Sequence, residues 1–320
     1  MLRVGLIGAG QVAERHAAAF GACPEASVTA VADPDRGRGE RLAAGCDARW
    51  FASADELLSS GVDAVVVCVP HDLHLSVAVA AAEHGAHILL EKPISNTLDE
   101  ADAILAAVER AGVRVMVGFV HRFRTEVLEA RRLLREGAIG EPAIALDRFC
   151  SLGGPHPPPW VWSRARAGGG VLMYGGIHAI DRLLWLLGDE VVSAAAQLHH
   201  SYGYGDVEDG LVAMLRFSRG ASATLVESSP PYGRPGGWAT DVFGSEGAVR
   251  IQTGEWAEVT SAAGTETVMS GDDRHFERQA AEFVAAVREE RDPSVTGNDG
   301  RAALAVALEI YRSGGRTDQP

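Results

Sequence analysis

Of the 29 lysines and arginines in this chain, only Lys92 is a lysine. It stands in the run HILLEKPIS, residues 87–95. Arginine stays protonated in proteins, whereas a lysine ammonium is a compact point donor that gives up its proton more readily when desolvated. A single lysine in an arginine-rich chain is therefore a candidate proton handler or positioned donor. Glu91 precedes it, and Pro93 restrains the backbone directly after it. Near the N-terminus, VGLIGAGQVAERH carries G-x-G-x-x-A at Gly8, Gly10 and Ala13. Such glycines permit a tight turn and close backbone approach to a pyrophosphate. The small third residue lets a helix, opened here by Gln11 and Val12, pack on the strand. Asp33 follows Gly10 by 23 residues, at the end of VTAVAD. A carboxylate there accepts hydrogen bonds from ribose hydroxyls and repels a 2′-phosphate, favouring NAD over NADP. Arg36 is the counterweight, because it is placed to meet a 2′-phosphate. The alternative for this set is a structural turn with Asp33 as a helix cap. In VCVPHDLH, the residues Val69, Pro70, His71 and His74 follow an apolar run. His71 is open to two roles, cofactor contact or a backbone contact at a helix start; for His74 the backbone contact is the expected one, with cofactor contact as the alternative.

These residues need a scaffold that gathers them. LRVGLIG, SVTAVAD, DAVVVCV, AHILLEK and VRVMVGF are short apolar runs of the kind that form buried parallel strands. Between them lie helical patterns at 12–20, 36–44, 54–60, 73–84 and 97–111. Alternation of this kind predicts a doubly wound parallel sheet of the Rossmann type, with ligands beyond the carboxyl ends of its strands. That places Lys92, Val69 and Pro70 on the ligand side. Past Phe119 the rhythm changes. A helix over 125–135, a strand in GEPAIALDRF, a Pro/Gly/Trp-rich loop and a helix over 171–187 are followed by strand-like runs with turns between them. The pattern predicts an α+β domain with a large, mostly antiparallel open sheet. The expected domains are 1–119 for dinucleotide binding and 120–320 for substrate binding and oligomerisation. The last helix, about 299–312, either closes the second domain or packs back on the first.

GAGQVA, VADPD, VPHDLH, EKP, VGFVHRF and GGGVLMYGGIHAID occur in the order and spacing of the Gfo/Idh/MocA oxidoreductases, and the chain resembles that family over nearly its whole length. The resemblance implies a nicotinamide-dependent enzyme acting on a sugar, cyclitol or related polyol. It implies that Lys92 touches both cofactor and substrate, with Glu91 beside it. It also implies that Arg122 joins the cofactor contacts, that His121 and Trp160 line the substrate side, and that the second sheet mediates oligomers. Where the family carries an Asp in its G-G-G-x-x-x-D-x-G-x-H-x-x-D motif, this chain has Tyr174; His178 and Asp181 match. On a regular helix, Tyr174, His178 and Asp181 share a face. An imidazole suits proton transfer near neutrality, so Lys92, His178 and Tyr174 form the expected catalytic set. His178 as a core histidine and Tyr174 as packing are the bland alternatives. In the favoured reading, hydride passes between NAD and a carbinol carbon, His178 takes the hydroxyl proton, and Lys92 polarises the oxygen. Two other readings remain: redox-neutral NAD-dependent glycoside cleavage, and a cofactor-binding sensor or partner protein that has lost catalysis. The loop at 151–167 is expected to cover the pocket, with Trp162 and Arg166 as further candidates.

A formal net charge of −14 disfavours nucleic acid or an anionic membrane as partner. The arginines at 122, 124, 131, 132 and 135 are expected to form a solvated helix face. Cys23, Cys46, Cys68 and Cys150 make no C-x-x-C pair, which suggests reduced thiols in a cytoplasmic protein. No signal peptide or membrane-length apolar run is evident. The histidines are too scattered to predict a metal site. The second sheet has too few helices to cover both faces, so a homodimer or homotetramer is expected.

Overall fold

Val-, Leu- and Ile-rich runs in the first part of the chain pair into a six-stranded parallel sheet: β1 (Leu2–Ile7), β2 (Ala26–Ala32), β3 (Arg49–Phe51), β4 (Ala64–Val67), β5 (His87–Leu90) and β6 (Val115–Val117). The structure is a computed structural model and describes residues 1–150, 157–231 and 237–316. The strand order is β3-β2-β1-β4-β5-β6. Every residue of β4 and the last three of β5 are fully buried, as expected for strands covered on both faces. The connections carry helices α1 (Gln11–Gly21), α2 (Arg36–Gly45), α3 (Ala54–Leu58), α4 (His74–Glu83) and α5 (Leu98–Ala111). Helix α5 starts with a reciprocal capping box between Thr97 and Glu100 and ends at left-handed Gly112. Strand β3 is absent from the sequence expectation, because its RWF lies in no Val/Ile-rich run of the kind that marks β6.

Adjacent β1 and β4 have connections that run in opposite directions along the sheet. This is the switch point at which open α/β sheets bind ligands. The Gly8–Gly10 turn follows β1, and Val69–His71 follow β4.

The second sheet contains β7 (Pro142–Cys150), β8 (Val191–His199), β9 (Gly210–Phe217), β10 (Ser222–Ser228), β11 (Trp238–Gly244), β12 (Gly247–Gln252), β13 (Trp256–Ser261) and β14 (Gly264–Ser270), ordered β14-β13-β12-β11-β7-β10-β9-β8. All pairings are antiparallel except β7 with β10. Edge strand β14 was also missed, since its GTETVMS lacks a clear apolar alternation. Helix α6 (Thr125–Arg135) packs on β12 to β14. A short helix α7 (Arg164–Ala167) comes before α8 (Ile177–Leu187), which packs on β7. Two helices close the chain, α9 (His275–Arg288) and α10 (Gly297–Ser313). By packing, Met1–Val120 and Phe276–Arg301 form one unit, and His121–His275 with the described residues from Ala302 onward form another. No described helix is long and apolar enough to cross a membrane.

The helix expected over 171–187 is not regular. Residues Leu172–Gly176 form a π turn before α8 begins. Gly175 and Gly176 make it possible: a Cβ on Gly175 would lie 3.0 Å from the Phe149 ring, and one on Gly176 would lie 2.9 Å from Leu172 and 3.3 Å from Glu227. A π turn holds an extra residue, so the spacing of a straight helix fails between Tyr174 and His178. Tyr174 is 40% exposed, whereas His178 and Asp181 are buried.

Candidate active site

In the first unit, Gly8 has φ +94°, and a Cβ there would stand 2.4 Å from the Cys68 carbonyl oxygen, so only glycine fits. Gly10 caps α1 with no side-chain hydrogen bond, and nothing lies within 4 Å of where its Cβ would be. The first turn of α1 thus presents open N–H groups beside free space, which suits a pyrophosphate. Gln11 is exposed and Val12 half-buried on that turn. Asp33 is buried at the end of β2. Its carboxylate accepts from Ala9 N–H (2.7 Å) and Asp35 N–H (2.8 Å), which ties the glycine turn to the next loop. Arg38, which sequence reasoning missed, also donates to both its oxygens, at 2.8 and 3.2 Å. Arg36, the expected counterweight, instead pairs with Glu40 at 2.9 Å and lies over Trp50. Arg38 faces Asp33 because the two are brought together only when α2 folds back beside β2.

The lysine lies just past β5, and Glu91 before it is buried. His16 Nε2 is 2.8 Å from Glu91 Oε1, and the Lys92 backbone N–H donates to Oε2 at 3.3 Å. Burial opposes the Glu91 charge. The His16 hydrogen bond and the nearby Lys92 charge nonetheless hold its pKa below the ordinary value. Gly118 leaves room for this carboxylate, since a Cβ there would be 2.9 Å from Oε1. Glu91, expected as a cofactor contact, is therefore an anchor for the segment that carries Lys92. Burial lowers the Lys92 pKa, against the opposing pull of Glu91. His74 is engaged by the main chain. It is fully buried, with Nδ1 2.8 Å from the Pro93 carbonyl oxygen and Nε2 3.1 Å from that of Val69. It braces the loops that follow β4 and β5. His71 is buried 5.5 Å from it, and Val69 and Pro70 are half-buried.

In the second unit, His178 stacks on His121 with ring centroids 4.3 Å apart and planes 15° from parallel. Trp238 sets its ring edgewise to both. Arg122, expected at the cofactor, forms a buried two-pronged pair with Asp181, at 2.6 and 3.0 Å. It also lies over Trp185. The Asp181 carboxylate is thereby held by Arg122, the residue expected at the cofactor. Trp160 is half-buried in a turn at Pro159–Trp162, and Trp162 packs on Tyr204 at 4.4 Å. Of the expected covering loop, residues 151–156 lie outside the described residues.

The glycine run before His178 is held by groups far away in sequence. Glu208 accepts from Gly170 N–H (3.0 Å), Leu172 N–H (3.1 Å) and Tyr311 O–H (2.8 Å). It satisfies donors that no local cap reaches, and burial raises its pKa. A Cβ on Gly170 would lie 1.8 Å from the Glu208 carbonyl oxygen. Gly170→Ala is therefore expected to destabilise by about 1–3 kcal/mol, measured as a fall in Tm. A Tm equal to that of the unsubstituted protein would show that the turn relaxes freely.

Comparison with known proteins adds to this geometry. A family model described as an oxidoreductase family with an NAD-binding Rossmann fold matches residues 2–119, and one described as a GFO/IDH/MocA C-terminal domain matches residues 127–250. The chain is 30% identical to a scyllo-inositol 2-dehydrogenase (NAD(+)) of Bacillus subtilis, with 98% of this chain and 94% of that protein covered. It is also 30% identical to a 1,5-anhydro-D-fructose reductase of Ensifer adhaerens, covering 98% and 96%. Among solved structures, a putative myo-inositol dehydrogenase from Sinorhizobium meliloti superposes with TM-score 0.84 at 29% identity, covering 100% and 99%.

Proposed function

The chain belongs to the Gfo/Idh/MocA oxidoreductase family, and from that premise we propose that it exchanges hydride between NAD and a hydroxyl-bearing carbon of a sugar or cyclitol. It is an NAD-dependent oxidoreductase acting on CH–OH groups. The observation that carries the mechanism is Lys92, a partly buried lysine with a lowered pKa just beyond β5 of a dinucleotide-binding sheet. When bound, the nicotinamide ring supplies hydride exchange at its C4 carbon. Gly8, Gly10, Gln11 and Val12 hold the pyrophosphate, and Asp33 holds the adenosine ribose. Val69, Pro70 and His71 border the same side of the sheet. Lys92 donates a hydrogen bond to the reacting oxygen and stabilises charge on it. His178 removes the hydroxyl proton on oxidation and returns it on reduction. Tyr174 and Trp160 contact the polyol. The test is a screen of sugars, cyclitols and nucleotide sugars, following reduced-cofactor absorbance with NAD and NADP in parallel. Failure of every polyol to change that absorbance, with cofactor bound, would overturn the reading.

Cofactor preference follows from Asp33. NAD is expected to bind more tightly than NADP in calorimetric titration. Asp33→Ser is expected to move the affinity ratio toward NADP by about tenfold or more, within the range for hydrogen bonds to charged groups. The substitution removes the repelling carboxylate and frees Arg38 for a 2′-phosphate. Tighter NADP binding by the unsubstituted protein would refute the assignment.

Assembly through the second sheet is supported by its apolar outer face. Ile144 pairs with Phe243 across β7 and β11, and Val212 pairs with Val226 across β9 and β10; all four are exposed. Met214 on the same strand as Val212 is 59% exposed. A contiguous apolar face of this kind normally packs on a partner. A homodimer or homotetramer with closed symmetry is expected by light scattering, and Val212→Glu combined with Met214→Glu is expected to dissociate it. A monomeric unsubstituted protein at micromolar concentration would remove the proposal. The four cysteines are all free thiols, which supports a reducing cytoplasm as the compartment.

A further inference from the structure

Arg182 is one of the largest side chains in the protein to be fully buried, at 1% exposure, and the proton transfer described above does not use it. Its Nη1 donates to Thr240 Oγ1 (2.7 Å) and Thr253 Oγ1 (2.8 Å). Asp147 lies 3.9 Å away and is itself held by Thr240 O–H (2.6 Å) and Trp238 Nε1–H (2.7 Å). The guanidinium also lies over the Trp238 ring. Its remaining terminal nitrogen, Nη2, lies 2.6 Å from His121 Nδ1.

That contact decides the chemistry of His121. A guanidinium nitrogen can only donate, so Nδ1 must present its lone pair. The one ring proton then sits on Nε2. An imidazolium would set an N–H against the arginine's own N–H. The ring cannot turn away, because it is stacked on His178 and edged by Trp238. Nε2 makes no hydrogen bond to a described residue, so its proton is the one this ring has to offer a ligand. The groups that act most strongly on His121 are His178 and Arg182 from α8, Arg124 from its own segment and His275 at the start of α9, and none of these four is a carboxylate. Burial first, and then these neighbours, depress the His121 pKa well below the ordinary imidazole value.

We infer that His121 is a permanent Nε2–H donor that hydrogen-bonds a second hydroxyl oxygen of the polyol, beside the one His178 serves, with Arg182 as the positioning residue that fixes its tautomer. The inference rests on the proposed function and deepens it. Polyols carry hydroxyls on neighbouring carbons, and a donor that never changes charge, stacked on a base that does, can tell the two oxygens apart. It selects for a substrate with an oxygen at the neighbouring position. It also keeps the charge of His121 fixed while His178 exchanges the hydroxyl proton.

The tautomer is tested without substrate. In protein labelled with 15N at histidine, with His121 assigned by its loss in His121→Gln, Nδ1 is expected at an acceptor shift and Nε2 at a protonated one. Both should stay flat from about pH 5 to pH 8, where an unconstrained imidazole titrates. Titration within that window, or a proton on Nδ1, overturns the assignment. In Arg182→Met, His121 is expected to populate both tautomers, and an unchanged spectrum overturns the part given to Arg182. The donor role is tested with the polyol that the screen shows to be turned over fastest. His121→Phe keeps a stacked ring but has no donor, and is expected to lose about tenfold or more in kcat/KM, mostly through KM. His121→Gln, which puts an amide N–H near the position of Nε2, is expected to recover most of that loss. A His121→Phe enzyme with native kcat/KM overturns the donor role. Absence of turnover by the unsubstituted protein overturns the proposed function and the donor role together, while the tautomer stands or falls on the spectrum alone.

Discussion

Lys92→Arg is expected to lower turnover by about 10²-fold or more, the scale of a positioned proton-transfer group, while NAD binding changes far less. The substitution preserves positive charge and alters everything else. A guanidinium is planar, longer, and cannot release a proton at any working pH. The Glu91 anchor, held by His16 and by the Lys92 backbone N–H, leaves the Lys92 backbone where it was, so the change isolates the side chain. Burial lowers the Lys92 pKa. If the ammonium is the donor, activity should fall as pH rises through that lowered value, earlier than an exposed lysine would dictate. The Arg variant should lack this alkaline limb, because its cation does not titrate. Steady-state kinetics across pH, with a fluorescence titration of NAD, make the measurement. Near-native turnover in Lys92→Arg would mean that position 92 needs only charge.

His178→Ala is expected to cost about 10²- to 10⁴-fold in kcat/KM for oxidation and to abolish the limb in which rate rises with pH. A base works only when deprotonated, so its loss flattens the acid side of the profile. Tyr174→Asp tests the departure from the family motif from the other direction. An added carboxylate favours the imidazolium, so the limb should move to higher pH in that variant. The π turn from Leu172 to Gly176 places position 174 at the surface just ahead of His178, where a carboxylate can be accommodated. A His178→Ala enzyme that keeps the acid limb would assign it to another group.

Much of the scaffold was legible because it depends on neighbours in sequence. Strands β1, β2, β4, β5 and β6 of the first sheet, the helices between them, the Gly8–Gly10 turn and the ligand-side position of Lys92 follow from local apolar patterning and backbone preference. The open apolar face of the second sheet was likewise implied by too few helices for its strands. Short segments escaped for the same reason. Strand β3, with its charged Arg49, has no apolar run around it to read, and a π turn differs from an α turn by one residue that no hydrophobic pattern records.

The polar partners were decided by tertiary structure. Asp33 was visible at the end of its strand, but its pairing with Arg38 in preference to Arg36 depends on how α2 docks. His74 was visible at a helix start, yet only the folded loops show both its nitrogens against main-chain carbonyls. Arg122 was recognisable and its engagement by Asp181 was not. Glu91 meets His16, Glu208 meets Gly170, and Arg182 meets His121 across 75, 38 and 61 residues. The physical reason is that a strand or helix is selected by interactions a few residues long, whereas a buried charge must find a partner wherever the closed fold supplies one. Sequence alone therefore determined which residues stand at the ligand side of the sheet. The three-dimensional packing determined which distant partner each buried polar group found, and so which of them hold the others in place.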